Sequence, residues 1–290
     1  MRDIALRCPA CESDLQVLTC TACGRVYELR DGVPILVVHD AGEHAAAQAR
    51  WFDEAVDPEW EIERPHGSPR FHRWLLAEKF RRSVTGLDLR GTSVLAVCAG
   101  SGMDAEFLAR AGATVVAADI SSGAAARTAE RVRRFDLHVI PVVADVERLP
   151  FADRSVDVVY VHDGLHHLED PIAGLREMAR VARRAVCVSE PAQAAVTRAA
   201  VRAGIALERE EAGNRVARLT SADVVRVLAK DGFRVVRAER YGMFYRHEPG
   251  WPSRVLSSPG LFQLAKLGFR AANAVFGRFG NKLAVVAVRP

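Results

Sequence analysis

The sequence has no uncharged apolar run approaching the roughly 20 residues of a membrane-spanning helix. Its first residues, "MRDIALRCPAC", lack the long apolar segment of a secretion leader. The expectation is a soluble protein of the cytoplasm. Lysine is scarce: of 40 basic residues only Lys79, Lys230, Lys266 and Lys282 are lysines, a bias that goes with the abundance of alanine. The net charge of +4 is too small to argue by itself for a nucleic-acid partner. At 290 residues, with 49% hydrophobic and 26% charged content, the chain can bury the core of one large domain plus a small appendage.

Cysteine is sparse too, and unevenly placed. Four of the six fall within sixteen residues, as "CPAC" and, eight residues on, "CTACG": Cys8, Cys11, Cys20 and Cys23. Two Cys-x2-Cys knuckles can bring four thiolates around one Zn²⁺, and a segment this short has no core of its own without the metal. The alternative is two disulfides, which a reducing compartment disfavours. Four thiolates leave no open coordination position, so a structural zinc is expected, not a catalytic one. After the knuckles, "RVYEL", the "RDG" turn and "VPILVV" read as a β-hairpin that completes a zinc ribbon over residues 1–40. Residues 1–50 hold five basic and seven acidic side chains, a poor match to a phosphate backbone.

Residues 41–90 form a helical linker or cap region. "AGEHAAAQARWFDEAV" reads as helix or linker, and "DPEWEIERPHGSP", with three prolines and a glycine, as a loop. "RFHRWLLAEKFRRSV" sets Phe71, Trp74, Leu75, Glu78 and Phe80 on a helix with an apolar stripe and a basic back, which must pack on the domain that follows.

From residue 91 to 290 strand and helix alternate at βαβ spacing, the pattern of a doubly wound parallel sheet. The strands are Val94 to Val97, "ATVVAAD", "LHVIPVVAD", "VDVVYVHDG" and "RAVCVSEP"; a long helical region follows, then a helix from "TSADVVRVLAKDGF". Two late strands, "RVVRAERY" and "KLAVVAVR", read as a hairpin closing the sheet edge.

The order of a small-residue loop "CAGSGMD", Asp119 at the end of the second strand, Asp145 at the end of the third and then "LHHLEDP" resembles the class I S-adenosylmethionine-dependent methyltransferases. The resemblance covers Val94 to Pro290 and implies an α/β Rossmann-like fold with an antiparallel last strand. The N-terminal ribbon resembles the Trm112-like zinc domains sometimes fused to such enzymes. By that resemblance the cofactor would be held by Ala99, Gly100, Gly102, Asp119, Ile120, Asp145, Val146 and Asp163. Glycines 100 and 102 would let backbone approach the methionine moiety, Asp119 would take both ribose hydroxyls, Asp145 and the Val146 backbone would read adenine, and Asp163 would face the sulfonium end. Two positions depart from the family: Ala96 stands where an acid is usual and Cys98 where glycine is usual. One lost charged hydrogen bond weakens such a site by roughly ten- to a hundred-and-fifty-fold without abolishing it.

A nicotinamide-binding domain is the nearest rival, but Ala105 stands where its third glycine belongs, and "LPF" and "LHH" have no role in it. Methyl transfer to a hydroxyl calls for a general base, and His162, His166 and His167 cluster after the fourth strand, with Glu190 after the fifth as another acid-base group. His166 is the leading candidate; packing and turn capping are the plainer reading of the same cluster. The reading is methyl transfer to a small-molecule acceptor, apolar or glycosylated, with O-methylation favoured. An RNA methyltransferase and a non-catalytic partner protein with a degenerate fold are the alternatives, and nucleic acid is disfavoured by the acidic ribbon.

Residues 234–290 carry ten basic and two acidic side chains. Within the inserted segment 241–280, "GLFQLAKLGFRAANAVFG" places Gln263, Lys266, Arg270 and Asn273 as one polar stripe on an otherwise apolar helix. Such a helix could lid an apolar acceptor, lie on an anionic membrane surface, pair two copies of the chain, or pack into the core.

Overall fold

A computed structural model describes residues 4–38, 42–202, 204, 209, 213–214, 219–244 and 247–290. The knuckles carry a two-stranded ladder, β1 (Leu15–Gln16) and β2 (Thr19–Cys20). A hairpin of β3 (Glu28–Arg30) and β4 (Val33–Leu36) follows, turning on Asp31 and Gly32, both at positive φ as a tight hairpin demands. Three helices come next: α1 (Glu43–Glu54), α2 (Pro58–Glu63) and α3 (Arg70–Ser83). The region from residue 93 then runs β5 (Ser93–Val97), α4 (Met103–Arg110), β6 (Thr114–Asp119), α5 (Ser122–Phe135), β7 (Val139–Ala144), β8 (Val156–His162), α6 (Pro171–Val181), β9 (Ala182–Pro191) and α7 (Ala195–Arg202). It closes with α8 (Ser221–Lys230), β10 (Arg234–Tyr241), α9 (Trp251–Val255), α10 (Pro259–Phe276) and β11 (Lys282–Val288).

One nine-stranded sheet runs through the molecule in the order β10-β11-β9-β8-β5-β6-β7-β4-β3. The central five strands are parallel; β11 is antiparallel to β9 and β10 to β11, as the late hairpin predicts. Successive side chains alternate between two cores. Leu95, Val97, Val116 and Ala118 face α6, α8 and the N-terminal segment, whereas Val94, Ala96, Val115 and Ala117 face the layer formed by α3 and α4.

Three features were not expected. β4 pairs in parallel with β7, Ile35 opposite Val143, so the hairpin read as the end of a ribbon is also the edge of the main sheet. Cys8, Cys20, Tyr27 and Leu36 lie in the same core as Phe151 and Leu149. The stretch read as a loop holds α2, because Asp57 accepts from the N–H groups of Glu59 and Trp60 and Pro58 occupies the first turn, where its missing N–H costs nothing. The helix read from Ala41 begins at Glu43; α7 is the described start of the long helical region expected after the fifth strand, and Ala41, the division at 40/41, most of residues 203–218 and residues 245–246 of the inserted segment lie outside the described residues.

Candidate active site

The loop from β5 to α4 folds by three left-handed residues: Cys98 at φ 48°, Gly100 at 53° and Gly102 at 79°. Glycine is needed at 102, where a Cβ would stand 2.9 Å from Thr128 Cγ2. Nothing lies within 4 Å of where a Cβ on Gly100 would stand, so the loop faces open space there. Thr128 Oγ1 donates to the Gly100 carbonyl (3.0 Å), and Arg127 and Arg131 of α5 donate to Ser101 Oγ and to the Ser101 carbonyl. Cys98 adopts a conformation that costs an L-residue about 1–2 kcal/mol. Its side chain fills the space above Gly164, where a Cβ would come within 2.2 Å of Cys98 Cβ. The bulk gained at 98 is thus matched by its absence at 164. Ala96 is buried in the opposite core and offers no polar atom there.

The carboxylates expected at the strand ends are there. Asp119 accepts from the Gly100 N–H through Oδ2 (2.8 Å) and from the Ser121 N–H through Oδ1 (3.0 Å), and burial raises its pKa. A carboxylate has about four lone-pair sites, so two remain for a ligand. Asp145 accepts from the Glu147 N–H (2.9 Å), and burial raises its pKa as well; Val146 beside it is buried and Ile120 half-buried. The Cys98 thiol is pushed well up by burial and by the nearby charges of Asp119, Glu190, Asp145 and Glu147, which brings the loop and these strand ends into one electrostatic neighbourhood.

Asp163 has charged partners of its own. Lys282 Nζ is 2.5 Å from both of its oxygens, Lys79 Nζ 3.8 Å and His162 Nε2 3.2 Å from Oδ2. Burial works against its charge, but these three cationic groups outweigh burial and hold its carboxyl well below the usual range. His162 Nδ1 is 2.9 Å from Asp104 Oδ2, and Tyr160 donates to Asp104 Oδ1 (3.1 Å). Burial opposes charging the His162 ring, yet Asp104 raises its pKa above the ordinary value; Asp104 in turn is held down at about 2 despite its burial. Sequence reasoning passed over Lys79, Lys282 and Asp104. The signal was present: two of only four lysines meet at this one carboxylate.

The three histidines do not share an environment. Buried His166 holds Glu190 Oε2 through Nδ1 (2.8 Å), and Glu190 Oε1 accepts from the Gly164 and Leu165 N–H groups at 2.8 Å each. His167 Nδ1 is 3.0 Å from Gln48 Oε1, and its ring meets Phe52 edge-on at 5.4 Å. Helix α1 therefore straps the edge. His44, Gln48 and Phe52 reach the "LHH" turn, and Asp53 accepts from Ser121 Oγ (2.6 Å) and the Gly123 N–H (2.7 Å). The spacing of four among residues 44, 48 and 52 was the sign of this face.

In the N-terminal segment, the sulfurs of Cys8, Cys11, Cys20 and Cys23 all lie within 4.8 Å of one another, with Cys8–Cys23 at 3.9 Å and Cys11–Cys20 at 3.3 Å. Tetrahedral zinc with ~2.3 Å bonds separates its sulfurs by about 3.8 Å. The donor set fits that metal.

Residues 95–187 match the family model described as a methyltransferase domain. Among curated proteins, the chain is 43% identical over 104 residues to the demethylmenaquinone methyltransferase of Corynebacterium efficiens, covering 36% of this chain and 43% of that protein. It is 41% identical over 109 residues to the Mycobacterium marinum protein of the same name, covering 37% and 45%. The chain thus spans less than half the length of the curated relatives it matches. Among solved structures it is similar to magnesium protoporphyrin IX methyltransferase from Synechocystis PCC 6803 with bound SAH, at TM-score 0.57 and 18% identity, over 86% of this chain and 100% of that one. It is similar also to the Haloferax volcanii complex of the Trm112 methyltransferase activator and a putative methyltransferase, at TM-score 0.52 and 19% identity, over 86% and 99%. The [4+2]-cyclase SpnF shares the fold at TM-score 0.50 and 19% identity, over 74% and 80%. The architecture is the α/β Rossmann-like methyltransferase fold with a mostly parallel sheet and an antiparallel strand at its C-terminal end. Within it, residues 95–187 are the stretch that matches the methyltransferase-domain model, and a four-cysteine cluster precedes them.

Proposed function

We propose that this protein is an S-adenosylmethionine-dependent methyltransferase acting on a small-molecule acceptor, apolar or glycosylated, in the cytoplasm. The observation that carries the reading is Asp119. It closes a left-handed glycine loop from below, keeps two lone-pair sites unspent, and stands beside open space over Gly100. When bound, S-adenosylmethionine supplies an electrophilic methyl group. Asp119 and Ile120 would hold its ribose, Asp145 and Val146 its adenine, and Ala99, Gly100, Gly102 and Asp163 its amino-acid end. The Lys282 contact makes Asp163 an ion-paired strut as much as a ligand for that end.

The favoured reaction is O-methylation with His166 as general base. Glu190, itself fixed by two backbone N–H groups, orients the ring through Nδ1. All three rings are engaged through Nδ1, His162 by Asp104, His166 by Glu190 and His167 by Gln48; what favours His166 is that its carboxylate partner is itself fixed by two backbone N–H groups. We assign Cys8, Cys11, Cys20 and Cys23 to one structural zinc, and a three-part organisation: ribbon 1–40, helical cap 41–90 and methyltransferase domain 91–290.

Calorimetry with S-adenosylhomocysteine tests the central claim. Binding is expected, and Asp119→Ala should weaken it at least about tenfold, the worth of a charge-assisted bond pair. An unchanged dissociation constant removes the assignment. In a methyl-transfer assay, His166→Ala should lower turnover by roughly a hundredfold with cofactor affinity kept. Retained turnover would leave positioning alone to carry the chemistry.

A further inference from the structure

Helix α10 touches the rest of the protein by a narrow side. Among its side chains only Phe262 is buried, against Phe71 and Leu75 of α3, while half-buried Phe269 meets Tyr241 and Met243, and Asn273 pairs with the Gly242 backbone through both amide atoms. These residues recur at helical spacing on one face. The face turned half a turn away is Leu264, Leu267, Ala271 and Val275, and all four are exposed, the two leucines at 64% and 65%. Leu261 and Phe276 are exposed on the same helix, and exposed Trp251, Val255 and Phe279 precede and follow it in the chain. A monomer in water rarely leaves so continuous an apolar strip uncovered.

The segment that carries the strip has charges of one sign. From Pro249 to Pro290 there is no aspartate or glutamate, while Arg254, Arg270 and Arg278 are exposed around the strip and half-buried Lys266 lies over the Phe262 ring. A second copy of the chain meeting this face by two-fold symmetry would set these cations against themselves, with no acidic side chain of the strip to pair them. Anionic headgroups complement them. An apolar face flanked by arginine and ended by tryptophan and phenylalanine is the composition of a helix lying in a bilayer interface. Among the described residues no helix is long and apolar enough to cross a membrane.

We propose that the α9–α10 face docks on the surface of a bilayer carrying anionic lipid, with α10 lying in the interfacial plane. This stands independently of methyl transfer. The test is co-sedimentation of the full chain with vesicles of phosphatidylcholine, alone or mixed with phosphatidylglycerol, read beside light scattering of the free protein. Expected are binding to the mixed vesicles, affinity at least about tenfold lower on phosphatidylcholine alone, and weakening with added salt. Leu264→Glu combined with Leu267→Glu should cost at least tenfold on mixed vesicles with circular dichroism and melting temperature kept. Arg254→Gln, Arg270→Gln and Arg278→Gln together should remove the preference for phosphatidylglycerol. No binding to mixed vesicles at low salt overturns the proposal. So does equal binding to both vesicle types, or a dimer that the glutamate variant dissociates.

Discussion

At the carboxyl edge of the sheet, charged and polar side chains go inside: Lys79, Tyr160 and His162 are buried, with Asp104, Asp163 and Lys282 close around them. On α10 the opposite holds, and leucines, a valine and a phenylalanine face water. Elsewhere the protein follows the ordinary rule, most plainly in the strands β5 to β8. Exposed apolar residues are common singly, so the informative departures are buried charge and contiguous exposed apolar surface. Each departure costs stability unless something compensates it. At the sheet edge the compensation is internal, because Asp163 and Asp104 neutralise Lys282 and His162 at 2.5 and 2.9 Å. On α10 nothing in the described residues supplies it, and the compensation has to come from outside the chain.

The sharpest way to break this comparison is to cut the same side chain from both regions. Leu95→Ala, in the fully buried β5, should lower unfolding free energy by about 2–5 kcal/mol in denaturant titration. Leu264→Ala should change it by no more than about 0.5 kcal/mol. Comparable losses at both positions would mean that α10 is ordinary core.

Asp104→Asn probes the buried charges, and should cost about 3 kcal/mol because it strands a buried partner. The effect has a pH window. His162 carries a raised pKa, so its contribution is complete below 6.5 and is lost as pH climbs through the raised value. Asp104 is held at about 2, so its contribution is complete above 3.8 and is lost as pH falls toward 2. The difference between wild type and variant should therefore be widest between these limits and shrink on either side. A difference independent of pH would show that packing, not charge, is what Asp104 provides.

A smaller effect distinguishes filled from open space. Gly164→Ala drives a methyl group into Cys98 and should destabilise by about 1–3 kcal/mol. Cys98→Gly should restore most of it in the double variant, since the second change removes the obstacle. Additive losses would mean that the two positions are uncoupled.

Much of this protein could be read from its residues. The parallel strands were legible because buried strands need continuous apolar runs bounded by turns, and so was the last strand, Lys282–Val288, which has the same form. The acids at 119, 145 and 163 were legible because they end those runs. Helix α2 was not, since its prolines outweighed the Asp57–Pro58 start signal in a segment too short for periodicity to register. Lys79 passed unnoticed because a lysine on an amphipathic helix reads as solvated, and its burial is compensated by carboxylates that arrive from elsewhere in the fold, Asp163 at 3.8 Å and Asp104.

By itself the sequence determined the local matters: which segments are strands, where the left-handed loop must turn, and that four cysteines share a short segment. These depend on neighbours a few residues apart, through dihedral preference, apolar period and ligand spacing. The tertiary structure alone decided that β4 joins β7, that α1 straps the histidine turn, that two lysines converge on one aspartate, and that the outer side of α10 has no cover. Each of these joins residues far apart in the chain, and an apolar residue has the same periodicity whether or not another element arrives to bury it.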